Sequence, residues 1–260
     1  MRSTTSALLA ITLGLSTLAG CGAARRESSD SRLRWDKARP GYQSSRAQKY
    51  DLSRSAGGRY LDTQNFNFSH PRVTDYVARY QTDLRSFYGR ALERSGRYVP
   101  RIEPILKKEG VPAEFAYLPL IESGFQVKAS SPASAVGLWQ FIPGTGKRYD
   151  LAQNWWYDGR RDVIAATQAA LDYLQTLHRM FNDWELALAA YNWGEGAVQR
   201  AIERNQARGL PTDYQSLYPG MPAETRNYVP KLMAVKNIIG NPARYGIALA
   251  HVPNEPDRKS

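Results

Sequence analysis

Residues 162–193 read DVIAATQAALDYLQTLHRMFNDWELALAAYNW. Val163, Ala166, Ala170, Leu174, Leu177 and Phe181 recur at helical spacing, so one face of Asp162–Phe181 is apolar. Asn182-Asp183 then interrupts the pattern. Trp184 to Tyr191 is apolar almost all round, the mark of a helix buried on every side. Gly194 and Gly196 end it. A long amphipathic helix followed by a wholly buried one requires a ring of further helices around the second.

The flanking sequence supplies them. Thr74 is a candidate cap for a helix with the stripe Val77, Tyr80, Leu84, Phe87 and Ala91, ending before Gly96. Pro100–Glu109 carries Ile102, Ile105 and Leu106, and Gly110 closes it. Pro112 sits where a first-turn proline is favoured, and the next helix runs to Glu122 with a kink or break expected at Pro119. Residues 125–160, rich in Gly, Ser, Pro and Trp, read as irregular with at most a short hairpin. Ala197–Asn205 and Glu224–Ile239 complete the set, the last one kinked or started at Pro230 and stopped by Gly240. No alternating strand pattern occurs, so the class is mainly α.

The chain has 260 residues, with 35 Lys+Arg against 24 Asp+Glu, a net charge of +11 that suits an anionic partner or a solvated basic surface. A single cysteine excludes a disulfide framework and multi-cysteine metal sites. His70, His178 and His251 have no metal-ligand spacing, and no metal or cofactor is expected. Gly144-Thr145-Gly146-Lys147 lacks the earlier glycine and the following Ser/Thr of a phosphate-binding loop. No nucleic-acid motif appears, and nucleic acid is not expected as a partner.

Four segments follow. Residues 1–20 have the positive start, apolar stretch and small-residue end of a secretory signal. Leu18-Ala19-Gly20-Cys21 resembles a lipobox, which would leave an acylated Cys21 anchored in a lipid membrane. Gly22, not an acidic residue, favours the periplasmic face of the outer membrane by that resemblance. Residues 21–69 read as the lipidated cysteine and a flexible tether, reaching on the order of 35–40 Å. Residues 70–248 read as one catalytic domain and 249–260 as a polar tail.

The chemistry centres on Phe115-Ala116-Tyr117-Leu118-Pro119-Leu120-Ile121-Glu122-Ser123-Gly124-Phe125, an apolar run ending in one carboxylate. Read by itself, Glu122 is either a helix-end residue turned outward or paired with an arginine, or a general acid whose apolar surroundings raise its pKa. Glu122-Ser123-Gly124, then Gly137-Leu138-Trp139-Gln140-Phe141, then Ala190-Tyr191-Asn192, then Glu224-Thr225 with Tyr228-Val229-Pro230, together resemble the lytic transglycosylases of peptidoglycan.

That resemblance implies a lysozyme-like, two-lobed helical domain with a groove for the GlcNAc–MurNAc glycan strand. It implies that Glu122 is general acid and then base, giving 1,6-anhydro-MurNAc ends without water. It places Ser123, Gln140, Tyr191, Asn192, Glu224 and Tyr228 at the substrate, with Trp139 walling the groove or lying in the core. Trp155 and Trp156 either stack on sugars or pack in the core. Relatives often carry C-terminal glycan-binding repeats; none fits in 249–260, which leaves murein affinity to the groove, the basic surface and the anchor. Two other functions remain on the sequence alone. One is a muramidase-type hydrolase, with Asp183, Glu195 or Glu224 as a second carboxylate. The other is a non-catalytic murein-binding lipoprotein.

Overall fold

The computed structural model describes residue 66 and residues 68–247. The signal segment, Cys21, most of the tether and the 249–260 tail lie outside the described residues.

Ten α-helices are found among the described residues: α1 Pro71–Gln81, α2 Arg85–Ser95, α3 Val99–Lys108, α4 Leu118–Ser123, α5 Pro143–Arg148, α6 Val163–Phe181, α7 Trp184–Trp193, α8 Glu195–Gln206, α9 Tyr214–Leu217 and α10 Ala223–Gly240. Four 3₁₀ turns join them, at Ala113–Tyr117, Gly159–Arg161, Tyr218–Gly220 and Pro242–Tyr245.

The expected central helix is α7. Ala187 to Ala190 have no exposed surface, and α7 packs on α6, α8 and α10. Asp162 caps α6 by accepting from the backbone N–H groups of Ile164 and Ala165, each at 2.9 Å. Asp183 caps α7 in the same way, through the N–H groups of Glu185 and Leu186. α10 also covers α1, the 113–117 turn and α4, so it touches both halves of the helical layer.

The expected boundaries change at the first helix and are sharpened at Pro119 and Pro230. The single helix expected to start at Thr74 is two helices, and its cap is His70, whose Nδ1 accepts from the Arg72 N–H at 3.2 Å. The break falls at Thr82–Leu84, where the Thr82 hydroxyl donates to the Ala78 carbonyl at 2.9 Å. A short polar side chain there competes with the helical ladder. Near Pro119 the expected break lies at Tyr117/Leu118, where the 3₁₀ turn gives way to α4 and the proline takes a first-turn position. α10 is not started at Pro230 but passes through it as one helix. There the loss of one backbone bond, at about 3 kcal/mol, is outweighed by the burial of Val229, Leu232, Val235 and Ile238.

In the irregular region no strand forms among the described residues. Three isolated antiparallel bridges remain: Ser130 with Val136, Val136 with Phe141, and Gln153 with Asp158. Arg160 supplies the cohesion that a sheet would have given. Its guanidinium pairs with Asp158 at 2.7 and 2.9 Å and donates to the carbonyls of Ser134 at 2.8 Å and Phe141 at 3.1 Å. Gly137 lies against it with φ +82°, where a Cβ would stand 2.1 Å from the Arg160 carbonyl oxygen.

The core also begins earlier than residue 70. Phe66 and Phe68 are buried, Phe66 edge-on to Phe115 and Phe68 edge-on to Tyr214. They fall in the segment read as tether, because two isolated aromatics in a polar stretch show no period. No helix among the described residues is long and apolar enough to cross a membrane.

Candidate active site

Glu122 stands in the last turn of α4. Immediately beyond it, Gly124 and Phe125 both adopt left-handed backbone, φ +57° each. They turn the chain sharply away, and the Arg94 guanidinium holds the Gly124 carbonyl at 2.7 Å. A Cβ at Gly124 would meet the Phe87 ring at 3.1 Å, so the tight turn needs glycine twice over. The Glu122 side chain is thereby left at an open helix end, partly accessible to solvent.

Its partner comes from α10. The Tyr228 hydroxyl donates to Glu122 Oε1 in a short hydrogen bond. Burial pushes the Glu122 carboxyl from 4.5 up to about 7; the Tyr228 bond and the Lys231 charge oppose the rise, and the Glu224 charge adds to it. Tyr228 is itself raised well above the ordinary phenol range, first by burial and then by the Glu122 charge. The phenol therefore stays a donor at any physiological pH.

Glu224, Tyr228 and Lys231 lie at i, i+4 and i+7 on α10, one stripe facing the α4 end. Glu224 Oε1 accepts from Asn192 Nδ2 at 3.5 Å, and Asn192 Oδ1 accepts from the Thr225 hydroxyl at 2.8 Å. The end of α7 is thus joined to the start of α10. Lys231 is partly buried, with its ammonium 5.8 Å from the Tyr76 ring centre. Burial lowers its pKa, while the charges of Glu224 and Glu122 counter the fall.

The third wall is the Gly137–Phe141 loop. Tyr191 of α7 donates through its hydroxyl to the Trp139 carbonyl at 2.9 Å, fixing that loop to the central helix. Gln140 takes a left-handed conformation, φ +50°, and its side-chain amide bonds the Gly137 carbonyl at 2.9 Å while staying partly exposed.

Tyr228 thus bonds Glu122, Asn192 bonds Glu224, and Tyr191 and Gln140 each bond a backbone carbonyl of the 137–141 loop. Two residues are employed otherwise. Trp139 does not wall a groove: it is fully buried, and its indole N–H donates to the Thr167 hydroxyl at 2.9 Å. The Ser123 hydroxyl is also buried, lying 3.1 Å from the Pro119 carbonyl and 3.0 Å from the Leu138 carbonyl. It joins the acid-bearing helix to the loop and has no free face for a ligand. Trp155 and Trp156 are not in the core either; they are 89% and 90% exposed.

Of the second-carboxylate candidates, Asp183 is spent on capping α7. Glu195 is bound by Arg148 and by the Tyr173 hydroxyl at 2.8 Å. Against burial, those bonds hold its pKa below the usual value. Lys231 was not singled out in the sequence, although its i+7 spacing from Glu224 marks it. Among the described residues, no group of three or more His, Cys, Asp or Glu side chains is placed to hold a metal ion.

The stretch of residues 101–211 matches the Transglycosylase SLT domain. It carries the α4 carboxylate, the 137–141 loop and all of α7. The chain is 48% identical over 157 residues to membrane-bound lytic murein transglycosylase D of Escherichia coli (strain K12), covering 60% of this chain and 34% of that protein. More distant matches are to membrane-bound lytic murein transglycosylase C. In Glaesserella parasuis serovar 5 the identity is 27% over 162 residues, with 54% of this chain and 44% of the relative covered. In Actinobacillus pleuropneumoniae serotype 5b it is 25% over 193 residues, with 65% and 51% covered. The chain thus spans about a third of the length of its E. coli relative.

Proposed function

We propose that this chain is a lytic transglycosylase that cleaves the MurNAc-β-1,4-GlcNAc bond of peptidoglycan. The observation that carries the proposal is the Glu122 carboxyl, partly accessible yet raised by burial to about 7, and held by a neutral phenol rather than a cation. Such a group keeps its proton near neutrality and can still give it up.

In the proposed reaction Glu122 protonates the glycosidic oxygen as its bond to MurNAc C1 breaks. The C6 hydroxyl of the same MurNAc then attacks C1 and returns a proton to Glu122. One C–O bond is lost and one is formed, the sugar closes to its 1,6-anhydro form, and the carboxyl is regenerated. No second carboxylate is required, because the nucleophile belongs to the substrate. Tyr228 orients the carboxyl and stabilises its charged state between the two steps. Gln140, Asn192 and Glu224 are the proposed polar contacts to the sugars. Tyr191 and Ser123 act at one remove, holding the loop and the helix end.

The location proposed with this activity is a membrane, reached through acylation of Cys21, at the periplasmic face of the outer membrane. The names of the relatives support membrane association.

The test is a digest of purified murein by the chain and by Glu122→Gln, with products read by mass spectrometry. Anhydro muropeptides, one water lighter than hydrolysis products and missing with Glu122→Gln, are expected. Hydrated reducing ends would replace the proposal with a muramidase, with Glu224 as the carboxylate still near the site. Retained murein binding with no products from either protein would indicate a binding protein.

A further inference from the structure

Seven large apolar side chains are substantially exposed among the described residues, and five of them are Ile142, Trp155, Trp156, Tyr157 and Ile164. Short-range bonds tie the segments that carry them to one another. Gln153 at the base of the tryptophan turn donates to the Pro143 carbonyl, next to Ile142, at 3.0 Å. The Tyr157 hydroxyl donates to Asp162, two residues from Ile164, at 3.3 Å.

The turn itself is stiff. Asn154 Oδ1 accepts from the backbone N–H groups of Trp156 at 2.9 Å and Tyr157 at 2.8 Å. The Asn154 N–H donates to the Tyr157 carbonyl at 2.9 Å, and the Gly159 N–H to the Ala152 carbonyl at 2.7 Å. Two indoles are thus held in water by a backbone with little freedom left to lose. Among the described residues nothing covers their faces, and leaving that much apolar surface wet is unfavourable. Preorganised aromatics of this kind are what a binding surface needs.

The turn is also continuous with the candidate site. Asp158, which follows Tyr157, is gripped by Arg160, and the same guanidinium holds the Phe141 carbonyl. Phe141 follows Gln140, and the Trp139 carbonyl is held by Tyr191. The tryptophan turn is therefore tied through Arg160 to the loop that carries Gln140.

We infer that Trp155 and Trp156, with Tyr157, form a distal contact for the glycan strand, stacking on the apolar C–H faces of sugars away from the bond being cut. The inference rests on the proposed murein activity for its choice of polymer. A glycan chain is a repeating polymer that runs on past the residues that react. Its sugars present flat C–H faces with polar rims, the shape that indole faces accept.

The experiment measures binding of the full processed chain, in detergent, to purified sacculi by co-sedimentation. Glu122→Gln serves as the background, compared with and without Trp155→Ala/Trp156→Ala. Loss of both rings is expected to weaken binding about tenfold. In the active background, turnover of long strands relative to short ones is expected to fall by a similar factor, through KM. Both side chains are exposed, so the melting temperature should hold, and Leu210→Ser at another exposed apolar residue serves as the control. Unchanged sedimentation and an unchanged long-to-short ratio would overturn the inference. So would a loss confined to phosphatidylethanolamine/phosphatidylglycerol vesicles, or a change in oligomeric state alone. If the unmodified chain releases no anhydro products but the double variant still loses sacculus binding, the catalytic proposal fails and the distal contact stands.

Discussion

Glu114 and Glu122 are eight residues apart on neighbouring elements, and both reach α10. Their partners there, Lys236 and Tyr228, are also eight residues apart, in reverse order, as antiparallel packing requires. Glu114 is fully buried and forms an ion pair with Lys236 at 3.0 Å. Lys236 also donates to the Phe66 carbonyl, so this pair ties the N-terminal end of the described core into place. Glu122 is partly accessible and meets a phenol. A fully buried carboxylate joined to a lysine and to the start of the core serves the fold. One facing a neutral donor in an apolar setting retains its proton to about pH 7 and is available for chemistry. The difference lies in the partner each one finds on the same helix.

Four measurements break or sharpen that contrast. The largest effect belongs to Glu122→Gln, which should lower cleavage by about 10²–10⁴-fold in the murein digest, the usual worth of a general acid–base group. Next, Lys236→Met strands the buried Glu114 and should cost about 3–5 kcal/mol in a urea melt. Adding Glu114→Leu to it should recover much of that loss. If Lys236→Met alone is neutral, Glu114 is not the structural half of the comparison.

The third is a stability difference with a definite pH window. Glu122 titrates near 4.5 in the unfolded chain and near 7 in the folded one. Between those values the folded chain binds the extra proton, so stability falls as pH rises through the window. Glu122→Gln should therefore raise the melting temperature above pH 7, by the equivalent of about 3 kcal/mol, and have no such effect below pH 4. The most abundant mutational outcome being destabilisation, a gain of this sign is diagnostic.

The smallest effect is a pair of opposite shifts. kcat/KM should fall as pH rises past about 7, where Glu122 loses its proton. Tyr228→Phe removes a donor that favours the carboxylate and should move this limb up; Glu224→Gln removes a repelling charge and should move it down. Each shift is expected to be about half a pH unit to one unit. Shifts in the same direction would mean that Glu122 is not the group titrating.

The helical class and the order of elements were legible because α6 and α7 carry their pattern locally, in spacing, caps and glycine stops. Glu122 stood out because a lone carboxylate at the end of an apolar run is unusual in itself. Glu114 stands just before that apolar run, without any local sign that a lysine about 120 residues later would pair with it. Trp139 and Gln140 are adjacent, and only the packing decides that the indole turns inward to Thr167 while the amide remains partly exposed. Trp155 and Trp156 read as core more readily than as ligand contacts, and the fold leaves them uncovered.

By itself the amino-acid sequence determined the helices, the buried centre and the motif residues, since each depends on chemistry within a few turns of chain. Tertiary structure alone decided which carboxylate is paired with a cation, which hydroxyls are spent on backbone and which aromatics face water. Those outcomes depend on what α10 and the Arg160-bound loops bring against each side chain from far along the sequence, and burial and charge act through space rather than along the chain.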